Sequence, residues 1–117
     1  MIAALVSDQH LRGPDDPAQL RFLAWLAALD APRLFVLGDL FDFYWEAPTP
    51  AQEPVVRALE AWPGELVVLP GNHDFALGKR LGRFSQPRWR GELGGIDTLL
   101  VHGDEADRSA GYLLLKA

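Results

Sequence analysis

The chain has 117 residues, a length that fits one compact domain around a single core. Hydrophobic residues make up 49% and charged residues 23%, as in ordinary globular proteins, and the formal net charge of −5 argues against a sequence-independent nucleic-acid binder, which needs a basic face. With no cysteine, a disulfide framework and a thiolate zinc site are excluded, and a reducing compartment is expected.

The N-terminus runs Met1-Ile2-Ala3-Ala4-Leu5-Val6 and reaches Ser7-Asp8 at once, without the basic region and long apolar stretch of a signal peptide. No run has the length of a transmembrane helix, so a cytoplasmic location is expected. Residues 2–6, 34–37, 66–69 and 98–101 are short continuous apolar runs, which fit strands buried on both faces. Between the first two, residues 17–29 predict a helix. Asp16 is placed to cap it, Pro17 suits the first helical position, and Gln19 completes a capping box. Its apolar stripe is Leu20, Leu23, Ala24 and Ala27, widened by Leu26 and Leu29.

A second helix carries Val55, Val56, Leu59 and Trp62 at helical spacing and is stopped by Pro63-Gly64. Thr49 with Gln52 has the form of a capping box, although Pro54 follows closely and cannot donate its amide. Strand, helix, strand, helix, strand predicts an α/β fold of mostly parallel buried strands with crossover helices. Leu93-Gly94-Gly95-Ile96-Asp97 predicts a hairpin turn into the last strand.

Chemistry-bearing residues fall at the strand ends. The first strand leads to Asp8-Gln9-His10, the second to Gly38-Asp39-Leu40-Phe41-Asp42, the third to Gly71-Asn72-His73-Asp74 and the last to His102-Gly103-Asp104. All three histidines of the chain lie in these segments. In an open α/β sheet, ligands bind beyond the carboxyl ends of the strands, so the four segments are expected to meet at one edge. Asp8 and His10 would point the same way from an extended backbone. Gly38 lets the chain turn sharply before Asp39, whose two oxygens could bridge two cations about 3.5–4 Å apart. Asn72 offers an amide oxygen and His102 an imidazole nitrogen. Oxygen and nitrogen donors without sulfur suit Mn²⁺, Fe or Zn²⁺ rather than copper. Each segment alone also reads as a surface turn or a self-capping Asx loop. Their combination, each after an apolar run, is what favours a metal site.

These segments resemble the motifs of the calcineurin-like metallophosphoesterases: Asp-x-His at Asp8/His10, Gly-Asp-x-x-Asp at Asp39/Asp42, Gly-Asn-His-Asp at Asn72/His73/Asp74, and a later His-Gly element at His102. The resemblance implies two divalent metal ions, Mn²⁺ above all. Asp8, His10 and Asp39 would hold one, and Asp39, Asn72 and His102 the other. It implies that His73 protonates the leaving group, oriented by Asp74, in hydrolysis of a phosphate ester or pyrophosphate. It also implies the first half of an α/β/β/α sandwich, with residues 1–117 as a single, incomplete domain. The family's closing Gly-His-x-His is not matched. The apolar stretch at residues 109–117 is then expected to begin an inserted helical lid, and the 117 residues alone are expected to turn over little. A truncated, non-catalytic fragment is the corresponding alternative.

Within the superfamily the chain is similar to the bacterial UDP-2,3-diacylglucosamine diphosphatases of lipid A synthesis, on the residues from Gly38 to Glu46, from Gly71 to Arg80 and from Val101 to Asp104. Many members have Arg where His73 stands, while other branches keep His. The resemblance implies a lipid-linked nucleotide as substrate, release of UMP, and peripheral contact with the inner membrane surface. Another calcineurin-like phosphodiesterase or a nuclease is the competing reading, weakened by the acidic balance.

Three further features admit two readings each. Lys79, Arg80, Arg83, Arg88 and Arg90, interleaved with Phe84 and Trp89, fit a patch for a nucleotide diphosphate or an anionic surface, or else a solvated face. Phe41, Phe43, Tyr44 and Trp45 fit either a substrate entrance or the packing of their own loop. Asp104, Glu105 and Asp107 fit either support for metal ligands or an exposed acidic loop.

Overall fold

The structure is a computed structural model, and it describes residues 1–42, 48–69, 81 and 88–102. Strand β1 (Ala4–Val6) pairs in parallel with β2 (Arg33–Val36), and β2 in parallel with β3 (Glu65–Val68), in the order β1-β2-β3. Helix α1 (Pro17–Ala28) lies between β1 and β2 in sequence, and α2 (Glu53–Ala61) between β2 and β3. Strands β4 (Trp89–Leu93) and β5 (Ile96–Leu100) form a separate antiparallel pair.

Side-chain alternation along the central strand builds two cores. Leu34 and Val36 face one way and pack with Leu66, Val68 and the helix residues Phe22, Leu26, Val55, Val56 and Leu59. Phe35 faces the other way and packs with Val67 and Leu69 against Trp89, Leu93 and Leu100 of the hairpin. The parallel sheet is thus covered by helices on one face and by a second sheet on the other. This α/β/β layering is the arrangement expected for the first half of the sandwich. Phe35 and Trp89 meet edge to face, with ring centroids 4.8 Å apart.

The helix caps explain where the helices begin. Asp16 Oδ1 accepts from the Ala18 N–H at 3.0 Å, and Asp16 Oδ2 accepts from the Arg12 N–H at 3.2 Å. Gln19 does not close a capping box as expected. Its side chain is buried and donates from Nε2 to the Ala51 carbonyl at 3.1 Å, tying α1 to the segment that leads into α2. The expected α1 stripe is also out of phase, since Leu20 is exposed and Phe22 is buried. At α2 the Thr49–Gln52 box does form: Gln52 Oε1 accepts from the Thr49 N–H, and Thr49 Oγ1 accepts from the Gln52 N–H. Pro54 sits in the first turn of α2, where a backbone N–H has no helical acceptor.

Two expectations about the strands are corrected. Among the described residues β1 lies at the edge of its sheet, with Ile2 and Leu5 exposed, so it is not buried on both faces. Residues 98–100 of the last strand are likewise only half-buried, and Leu93-Gly94-Gly95-Ile96 turns that strand back on β4 in the hairpin expected from the sequence. Gly94 at φ 59° and Gly95 at φ 82° supply the two positive φ values that a two-residue hairpin turn of this hand requires.

On the open face of the hairpin, Arg90 Nη2 donates to Asp97 Oδ2 at 2.8 Å. That hydrogen bond and the guanidinium charge hold the Asp97 carboxyl below its usual value, while the same pair raises Arg90. A lowered carboxyl favours the fold at neutral pH, and this contribution fades as pH falls through the folded-state value. Both side chains are largely solvated, so Asp97→Asn is expected to leave the thermal midpoint at pH 7 essentially unchanged, measured by circular dichroism.

Candidate metal centre

The loops that follow β1 and β2 are zipped together beyond the ends of their strands. Gly38, Asp39 and Leu40 accept through their carbonyls from the N–H groups of Asp8, His10 and Leu11, at 3.1, 3.0 and 2.8 Å. The Leu11 carbonyl in turn accepts from the Asp42 N–H at 3.0 Å, and Leu11 forms a parallel bridge with Phe41, both fully buried. The polar side chains of the two loops are therefore set by backbone pairing and by a buried Leu11–Phe41 anchor.

Within this frame Asp8, His10 and Asp39 adopt positive φ, at 54°, 48° and 50°, and they are the non-glycine residues that do so among those described. Left-handed backbone costs least for glycine and is tolerated by Asp, Asn and His better than by most residues. Three such residues in one place mark a site where local strain is held by the surroundings. The expected reason for Asp8 and His10 pointing together is corrected here. The strand ends at Val6, and a left-handed loop, not extended alternation, sets their directions.

One donor atom each from Asp8, Asp39 and His102 lies within 4.8 Å of the other two. These residues come from beyond the ends of β1, β2 and β5, so the hairpin delivers His102 to the same edge as the parallel sheet. Asp39 and His102 are buried and Asp8 is exposed, which leaves the cluster walled on one side and open on the other. Ser7 Oγ donates to Asp8 Oδ2. His10 stands beside the cluster, with Nε2 3.8 Å from Asp8 Oδ1 and Nδ1 3.4 Å from Asp42 Oδ1.

The His102 ring is fixed from behind. Its Nδ1 lies 2.7 Å from the Leu37 carbonyl oxygen, which can only accept, so Nδ1 carries the hydrogen. Nε2 then faces Asp39 Oδ2 at 3.2 Å, with both side chains buried. A lone pair and a carboxylate oxygen at that distance need positive charge between them, either a proton or a metal cation. An imidazole anchored at Nδ1 with Nε2 turned to a carboxylate is the usual arrangement of a histidine metal ligand. On this donor chemistry the cluster fits a divalent cation bound by oxygen and nitrogen.

Of the residues singled out from sequence, the structure brings Asp8, Asp39 and His102 together and sets His10 against Asp8. Asn72, His73 and Asp74 lie outside the described residues, as do Phe43, Tyr44, Trp45, Lys79, Arg80, Arg83, Phe84, Asp104, Glu105, Asp107 and residues 109–117. Phe41 packs its loop into the core, the second of the two uses considered for it. The Leu37 carbonyl left no trace in the sequence, because every residue carries one.

A family model of calcineurin-like phosphoesterases matches residues 1–116. The chain is 33% identical over 125 residues to a UDP-2,3-diacylglucosamine hydrolase of Stutzerimonas stutzeri, covering 96% of this chain and 52% of that protein. It is 35% identical over 118 residues to the protein of the same name from Nitrosococcus oceani, covering 89% of this chain and 46% of the other. The chain thus spans about half the length of the curated relatives it matches. Among solved structures, a protein of unknown function from Aquifex aeolicus superposes with a TM-score of 0.62 at 23% identity, over 86% of this chain and 60% of that one. That likeness bears on the fold alone.

Proposed function

The chain belongs to the calcineurin-like phosphoesterase family, and from that premise we propose that it supplies the metal-binding part of a metal-dependent hydrolase of phosphate esters or anhydrides. The observation that carries the reading is the convergence of Asp8, Asp39 and His102 from three strand ends onto one point. Asp8, His10 and Asp39 would hold one divalent cation. Asp39 would share the second with His102 and with Asn72. Mn²⁺ is the proposed metal, with Fe or Zn²⁺ compatible with the same donors. Bound there, the cations would supply Lewis acidity toward phosphoryl oxygens. The chain's own residues would do the rest. The Leu37 carbonyl holds the His102 ring, the zipped loops hold the carboxylates, and His73, oriented by Asp74, would give a proton to the departing oxygen.

The proposed substrate is UDP-2,3-diacylglucosamine, cleaved to UMP and the lipid monophosphate. The names of the relatives at 33% and 35% identity support it. A lipid-linked substrate would bring the protein to the cytoplasmic surface of the inner membrane as a peripheral visitor. Among the described residues no helix is long and apolar enough to cross a membrane. A full-length version of this chain loaded with Mn²⁺ is expected to release UMP from that substrate, followed by chromatography, and to lose this activity on chelation. Hydrolysis of bis(p-nitrophenyl) phosphate without UMP release would keep the reaction class and remove the substrate. Neither reaction in a Mn²⁺-loaded sample would remove both.

A further inference from the structure

We propose that Asp42 is a positioning residue that sets the ring of His10, an inference that rests on reading Asp8, His10 and Asp39 as cation ligands. The two nitrogens of His10 face two different carboxylates: Nε2 looks to Asp8 Oδ1 at 3.8 Å and Nδ1 to Asp42 Oδ1 at 3.4 Å. The second oxygen of Asp42 lies 3.7 Å from Arg12 Nε, so the carboxylate is oriented from its far side. The backbone fixes the spacing, because Leu11 donates to Leu40 and accepts from Asp42, locking the residue after His10 to Asp42 itself.

The neighbouring histidine shows what such a contact does. His102 presents Nε2 to Asp39 because the Leu37 carbonyl holds its Nδ1. His10 has the same polarity, with Nε2 toward the cluster and Nδ1 away from it, but its support is a side chain. A carboxylate behind a ligating imidazole orients the ring and makes the opposite nitrogen the better donor. Asp42 therefore does for the half-buried histidine what a main-chain carbonyl does for the buried one. Unlike the carbonyl, it can be removed.

The test is Mn²⁺ binding by calorimetry together with ¹⁵N spectra of the His10 imidazole in metal-free protein, for the wild type, Asp42→Ala and Asp42→Asn. Asp42→Ala is expected to weaken Mn²⁺ about 10–100-fold and to move the His10 nitrogen resonances while leaving those of His102 in place. Asp42→Asn keeps an acceptor oxygen and is expected to recover most of the affinity. Equal Mn²⁺ affinity and an unchanged His10 spectrum in Asp42→Ala would overturn the proposal. A wild type that binds no Mn²⁺ would instead overturn the cation reading, and the His10 spectrum would still decide whether Asp42 holds the ring. Circular dichroism reports folding. Should Asp42→Ala not fold, the Nδ1 resonance of Asp42→Asn decides, shifting if the carboxylate holds that nitrogen and staying in place if it does not.

Discussion

Asp39→Asn is expected to abolish tight metal binding while leaving the metal-free protein as stable as the wild type, or slightly more so. Asp39 is buried against His102 and is the only residue given a place in both proposed cation sites. Removing its charge should cost more than the ten- to hundredfold typical of an outer supporting residue, so a loss of at least about 100-fold in Mn²⁺ affinity is expected. The fold has no reason to suffer. A buried charged pair contributes little net stability, because desolvation offsets its attraction. The Asn amide can donate to His102 Nε2, and Asn accepts the left-handed backbone at φ 50°.

Asp39→Ala should behave differently. It leaves His102 Nε2 buried without its carboxylate and forces alanine into left-handed backbone, with an expected loss of about 1–3 kcal/mol from those two causes together. His102→Ala is the mirror case. It strands a buried carboxylate, and a loss of about 3–5 kcal/mol is the scale for breaking such a pair. Calorimetric titration with Mn²⁺ and urea melts of the three metal-free variants separate these outcomes. A variant Asp39→Asn that binds Mn²⁺ like the wild type would remove Asp39 from the centre.

What the sequence made legible was the order of apolar runs and the polar residues that close them. An alternation within a run carried both faces of β2, and a motif at its end placed Asp39. The phase of α1 was not legible. Leu, Ala and aromatic residues occur on every side of Pro17–Ala28, so several stripes fit equally well, and the true one includes a buried Gln19 that bonds to Ala51 across 32 positions. The hairpin of the last strand was legible, but from its turn alone. A run such as residues 98–101 has the same composition in a parallel sheet and in a covering hairpin, and only Gly94-Gly95 pointed to the latter. The extended backbone expected to aim Asp8 and His10 is replaced by left-handed backbone at both residues. The left-handed φ values that aim these side chains come from the pairing of the β1 loop onto the β2 loop, a long-range contact with no local signature.

Because His102 arrives on the hairpin, the proposed metal centre depends on how the two sheets are held together, and Phe35 is the largest buried residue of the core between them. It is fully buried on the hairpin side of the central strand and meets Trp89 edge to face. Phe35→Ala is expected to cost about 3–5 kcal/mol, the range for removing a buried aromatic and leaving a cavity. Leu34→Ala, one residue earlier and equally buried, should cost about 2–5 kcal/mol, but on the helix side. The two variants are therefore matched in stability and opposed in geometry. Under conditions where both remain folded, Phe35→Ala should weaken Mn²⁺ binding much more than Leu34→Ala. It loosens β5, and with it the approach of His102 Nε2 to Asp39, whereas Leu34→Ala disturbs a layer that gives the centre no ligand. Equal affinity in the two variants would show that His102 reaches Asp39 without the support of the inter-sheet core.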